Sequence, residues 1–104
     1  MMNYPINNFI YRGIMNANDL EHKYVAILMN LTTEKIVTVP FGHIYNTHYR
    51  DTTGLNSYSH LDSNNLDHRT TFILENQLLL RGGYYSSIYF EMKYLYHYDH
   101  FRIY

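Results

Sequence analysis

Asp51, His60, Asp62, His68 and Arg69 are the side chains of this chain whose types and spacing could do chemistry together. Two carboxylates and two imidazoles can hold a hard or borderline metal. Such a cluster would suit a metal-dependent or nucleic-acid-processing enzyme. The spacing is loose for that purpose. Asp67 and His68 would open a helix on diverging faces, because neighbours along a helix do not share one. Asp62 sits where a helix begins, and a short oxygen-bearing side chain there can accept hydrogen bonds from the first free amides. The group therefore stands as a candidate polar cluster. No catalytic role, metal or cofactor is assigned to it.

Other spacings are less complete. Asp51-Thr52-Thr53-Gly54 resembles the Asp-Thr-Gly of aspartic proteases, but an extra Thr breaks the spacing, and Arg50 stands where an apolar strand end belongs. A polar turn with Asp51 bonding backbone amides is the expected reading. His97 and His100 would be neighbours on a helix and would face opposite ways on a strand, so an incidental pair on a tail is expected. His43 and His48 have no expected partner. Gly83-Tyr84-Tyr85 resembles the opening of GIY-YIG nucleases but lies at the wrong end of the chain. Arg81-Gly82-Gly83 lacks the Lys of a phosphate loop. Ser86 and Ser87 have no elbow glycines. Asn30-Leu31-Thr32 matches a glycosylation sequon only by letter.

The composition narrows the field. The 104 residues suit one small domain, and 46% hydrophobic against 16% charged residues supports a packed core. A formal net charge of -1 lacks the basic footprint of a general nucleic-acid binder, although Arg50, His60, His68 and Arg69 could form a local patch. With no Cys, disulfides, thiolate zinc sites and Cys nucleophiles are excluded. No apolar run approaches the roughly 20 residues that cross a bilayer, so no membrane association is expected. The opening residues lack a basic start followed by an apolar core, so secretion is not expected. The 13 Tyr, with abundant Asn and Ile, follow AT-rich codons.

The elements that must position these side chains follow from the hydrophobic pattern. Residues 1–22 read as an arm or short edge strand, with a helical turn over Leu20 to Lys23. The run at 24–29 has strand length and no alternation, which predicts burial on both faces. Residues 36–41 form the second strand of an antiparallel hairpin, with Val37, Val39 and Phe41 pointing one way. Pro40 belongs at an edge, and Gly42 permits a sharp exit. Residues 43–61 make a long loop that Tyr45, Tyr49, Leu55 and Tyr58 could pack down. A helix over about 64–77 follows, capped within Asp62-Ser63-Asn64. Ser86 or Ser87 caps a short helix over about 86–92, and an extended tail follows it. The predicted class is α+β: a small antiparallel hairpin sheet packed on one main helix, with a second short C-terminal helix or strand. The division is a single domain with arm 1–22, core 23–92 and Tyr-rich tail 93–104. Val25, Ile27, Val37, Val39, Phe41, Leu66 and Ile73 are the expected core.

A family resemblance rests on residues spread through the second half. Val39-Pro40-Phe41-Gly42, Asp51-Thr52, His60-Leu61-Asp62, Arg69 with Phe72, and Gly83-Tyr84-Tyr85-Ser86-Ser87 running into Ile88-Tyr89-Phe90 appear in order. The pattern resembles an uncharacterised family of small proteins of giant DNA viruses and large phages. Glu75-Asn76 replaces the usual Arg-His, and Phe90 replaces a Trp. The resemblance implies a compact α+β domain in a viral setting, and no reaction.

The expected function is a small non-catalytic viral structural or protein-interaction protein in the virion or host cytoplasm. It would bind a protein partner or itself. Tyr84, Tyr85, Tyr89, Tyr94, Tyr96 and Tyr98 are the interface candidates, since Tyr offers contact area at low entropy cost. Nucleic acid fits less well, because Glu91 and Asp99 offset Arg81, Lys93 and Arg102 around that segment.

Overall fold

The computed structural model describes residues 3–80 and 83–98. In chain order they form β1 (Tyr4–Pro5), a 3-10 turn (Ile6–Asn8), β2 (Phe9–Asn16), β3 (His22–Asn30) and β4 (Ile36–His43). A loop holding a 3-10 turn (Ser59–Leu61) leads to α1 (Leu66–Asn76), which runs into another 3-10 turn (Gln77–Leu79). Then come β5 (Tyr84–Tyr85) and α2 (Ser87–Leu95). β2, β3 and β4 make an antiparallel sheet in that order, and β1 pairs antiparallel with β5. The class is α+β, with a longer helix and a short C-terminal one.

Short polar side chains close both hairpins. Asn30 Oδ1 accepts from the amides of Thr32 and Thr33 at 2.8 and 3.1 Å, which turns β3 into β4. Asp19 Oδ1 accepts from the amides of Glu21 and His22 at 2.8 and 2.7 Å. The Leu20–Lys23 stretch is therefore a turn entering β3, not the expected helical turn. Of the two readings of the first segment, the edge strand holds for residues 9–16. They form a full edge strand, paired with β3 from Phe9↔Asn30 to Asn16↔Tyr24. A register shift between Tyr11 and Gly13 explains why no period was visible. The bulge puts Tyr11 and Ile14, three residues apart, on one face. Gly13 supports it with φ +138.

One face of the sheet carries the core. Tyr24, Ala26 and Leu28 of β3 and Val39 and Phe41 of β4 are buried, with Phe9, Tyr11, Ile14 and Val37 packed against them. The expected orientation of Val37, Val39 and Phe41 holds. The cover is α2, which buries Ile88, Tyr89, Phe90, Met92 and Leu95. Each such burial contributes roughly 1.5–3 kcal/mol by transfer estimates. Ser86 caps α2 by accepting from the Tyr89 amide at 3.2 Å. Where β4 ends, Gly42 lies at φ +77, and a Cβ there would stand 2.9 Å from Leu95 Cδ1. The glycine lets strand and helix end approach this closely.

The longer helix packs less than its pattern suggests. α1 buries no residue completely. Leu66, an expected core residue, is 65% exposed, and Ile73 is half-buried. Phe72 docks the helix by stacking on Tyr96, with centroids 3.8 Å apart and rings 3° from parallel. The N-cap is Asn65, whose side chain accepts from the amides of Asp67 and His68. Asp62 is thus free for another task. Val25 and Ile27 also miss the core. They sit half-buried on the opposite face of the sheet, because β3 is covered on one side only.

Candidate functional site

The polar residues gather where the loop after β4 crosses the core. His48 is 1% exposed, and its Nε2 lies 2.5 Å from Asp62 Oδ1. The same Asp62 oxygen accepts from the Asp51 amide at 2.9 Å. Asp51 Oδ1 in turn accepts from the Thr53 amide at 3.0 Å and from its hydroxyl at 2.6 Å. Asp51 Oδ2 accepts from the Tyr24 hydroxyl, and Tyr24 Oη accepts from the Ser57 amide at 3.1 Å. Backbone bonds complete the clasp. His48 N donates to Leu61 O, Ser63 N to His48 O, and Asn64 N to Tyr49 O. The amides of Arg50 and Thr52 donate to Leu95 O and Tyr94 O, the free carbonyls ending α2.

The electrostatics of the clasp follow from burial. Desolvation lowers the His48 pKa below the usual histidine range, against the pull of Asp62. A neutral ring then donates from Nε2 to Asp62. Nδ1 is buried with no hydrogen-bond partner among the described residues. Burial acts to raise the Asp51 carboxyl, but the hydrogen bonds from Thr53 and Tyr24 outweigh it and hold the pKa below its ordinary value. Burial, reinforced by Asp51, pushes the Tyr24 phenol up to about 12. Lys23, also 1% exposed, donates to the carbonyls of His43 at 2.6 Å and Asn46 at 2.7 Å. Its pKa is lowered chiefly by desolvation.

Only part of the expected cluster converges. Asp51 and Asp62 meet, and His48 joins them. His60 is exposed on the 3-10 turn beside Tyr58, away from the carboxylates' hydrogen bonds. His68 bonds Ser63 Oγ through Nδ1 at 2.8 Å and faces the Tyr96 hydroxyl. Arg69 donates to Tyr96 O at 2.7 Å and His97 O at 3.0 Å, closing the C-terminal end of α2. Among the described residues no group of three or more His, Asp or Glu could hold a metal ion. Of the His97–His100 pair, His100 lies outside the described residues. Sequence reading missed His48 and Lys23. Their partners are 14 and 20 or more residues away, and only loop closure brings them together.

The tyrosines are largely internal. Tyr89 and Tyr96 are 4% and 2% exposed and belong to the core, so they do not form a surface as they stand. Tyr85 and Tyr94 are half-buried and stack on Phe90. Tyr98 is half-buried, and Tyr84 is exposed. The loop tyrosines divide as well. Tyr49 and Tyr58 pack inward, while Tyr45 is 80% exposed.

The open face of the sheet is where apolar surface remains. Its cross-strand rows are Ile10–Met29–Ile36, Gly13–Ile27–Thr38 and Met15–Val25–Pro40. None of these nine positions is charged, while the bulge residue Arg12 stands exposed beside Ile10 and Gly13 on the same face. Ile10, Met15 and Ile36 are 44%, 51% and 56% exposed. No helix among the described residues is long and apolar enough to cross a membrane. No protein-family model, curated protein or solved structure matches this chain.

Proposed function

We propose that this chain is a small non-catalytic structural protein that associates with a second copy of itself through the open face of its sheet. The carrying observation is the apolar ladder of Ile10, Met29, Ile36, Ile27, Met15 and Val25. In a two-fold contact the same patch meets itself, so any charge near the axis would face its own sign. The rows of β3 and β4 are uncharged and Arg12 stands on the edge strand β2, so the middle of the face suits a second copy better than a charged partner. The clasp supports the non-catalytic part, because both oxygens of Asp51 and one of Asp62 are taken up in holding the loop. The giant-virus resemblance suggests the virion or the host cytoplasm as the setting.

The contact is small. Strands about 4.8 Å apart and rows about 6.8 Å apart give a face of roughly 300 Å² in plan. A standard interface buries about 800 Å² per partner. The dimer is therefore weak and concentration-dependent. Amide spectra recorded across a dilution series test the reading. Shifts concentrated on β2, β3 and β4, with α1 unmoved, are expected. Spectra independent of concentration, or shifts centred on 84–98, contradict it.

A further inference from the structure

A cleft of about 470 Å³ opens between α1, α2 and the turn after β4. Asn46 and Thr47 form one wall, His68 and Phe72 of α1 another, and Glu91 and Tyr96 the third. We infer that this cleft binds a primary ammonium group, carried by a small organic amine or by a lysine side chain.

Glu91 is the reason. Its carboxylate opens onto the cleft, and no hydrogen bond within the described residues satisfies it. The ion pairs among those residues, His22–Asp19 and His48–Asp62, leave it out. Lys23 acts on it electrostatically, but the Lys23 ammonium is tied to the carbonyls of His43 and Asn46. That tie also roots the turn that forms the first wall. A carboxylate in this state is short of donors, and an ammonium brings three. Burial pushes the Glu91 carboxyl up, with Lys23 and His22 acting against it, as expected of a negative charge lacking a close partner.

The other walls fit the same ligand. Half-buried Phe72 lines the cleft with an aromatic ring, which attracts a cation. Exposed Tyr45 stands at the lining and adds a ring. The Thr47 hydroxyl and the Asn46 amide supply neutral acceptors. An anion is disfavoured, because the His68 nitrogens already face Ser63 and Tyr96 and Glu91 repels it. A metal ion is disfavoured by a single carboxylate.

Titration of the full chain with n-butylammonium chloride, followed by amide shifts, tests the site. Saturable shifts at 45–47, 68, 72 and 91 are expected, and n-butanol, of equal shape and no charge, should give none. Glu91→Gln should weaken binding roughly tenfold or more while leaving the melting curve cooperative. N-acetyl-lysine methylamide distinguishes the sources: tighter binding than butylammonium points to a peptide lysine, and equal or weaker binding to a free amine. Equal binding of butanol, or an unchanged affinity in Glu91→Gln, overturns the inference. Should Glu91→Gln fail to fold, the butanol comparison on the unaltered chain still decides. The site is independent of self-association, so the monomer-forming Ile27→Lys variant should bind equally well.

Discussion

The hydroxyl of Tyr24, on the buried face of the central strand, donates to the carboxylate of Asp51 in the loop that crosses the core. This bond fastens the loop to the sheet. Tyr24→Phe removes the donor to Asp51 and the acceptor of the Ser57 amide. Leaving buried polar groups unsatisfied costs about 1–3 kcal/mol. Urea unfolding should show that loss, and a change within error would detach the loop from the sheet's stability.

The clasp makes the protein acid-sensitive. His48 has a folded pKa below its ordinary value of 6.5, so the unfolded chain binds more protons below that pH. Stability therefore falls as pH drops from about 6.5 through the lower folded value. Asp51, held below 3.8, adds a second loss as pH falls from that value through its folded one. Glu91, whose pKa is raised, acts in the opposite sense and stabilises on protonation. The groups acting on His48 are Asp62, Lys23 and Asp51. Urea midpoints at about pH 7.5 and about pH 5 should differ in the native chain and differ less in His48→Asn. An equal drop in both would acquit His48.

The two helices should respond unequally to truncation. Phe90 is 1% exposed and packs against the rings of Tyr11, Phe41, Tyr85 and Tyr94. Phe90→Ala should cost about 3–5 kcal/mol. Leu74 of α1 is 61% exposed, and Leu74→Ala should change stability by no more than about 0.5 kcal/mol. Thermal melts of both variants check this. The reverse order would make α1 the cover of the sheet.

Gly42 separates strain from crowding. Gly42→Ala combines positive φ with a clash at Leu95, whereas Gly54→Ala has φ +86 and open space. Both should lose roughly 1 kcal/mol of backbone strain. Gly42→Ala should lose a further 1 kcal/mol or more from overpacking. Equal losses in the two variants would mean that α2 yields without cost.

Much of this fold was readable, and the failures have physical causes. The alternation of Val37, Val39 and Phe41 and the cap at Ser86 are local signals, and both hold. The run at 24–29 is apolar on both faces, and a letter string cannot say that nothing covers Val25 and Ile27. The edge strand β2 was legible only as one of two readings, because its bulge at Gly13 breaks the two-residue period. α1 drew attention through Leu66 and Ile73, yet helical spacing does not report which helix the sheet selects. Asp51 and Asp62 were legible as polar residues of interest. Their joining through His48 depends on a loop closure that no spacing encodes.

Sedimentation velocity over a wide concentration range, comparing the unaltered chain with Ile27→Lys, tests the self-association claim most directly. Ile27 lies in the middle row of the open face and outside the core. The unaltered chain should move from 12.6 kDa towards twice that mass as concentration rises. Ile27→Lys should stay at 12.6 kDa throughout while melting cooperatively. A native chain that remains monomeric at the highest concentration, or a variant that dimerises equally well, would contradict the account.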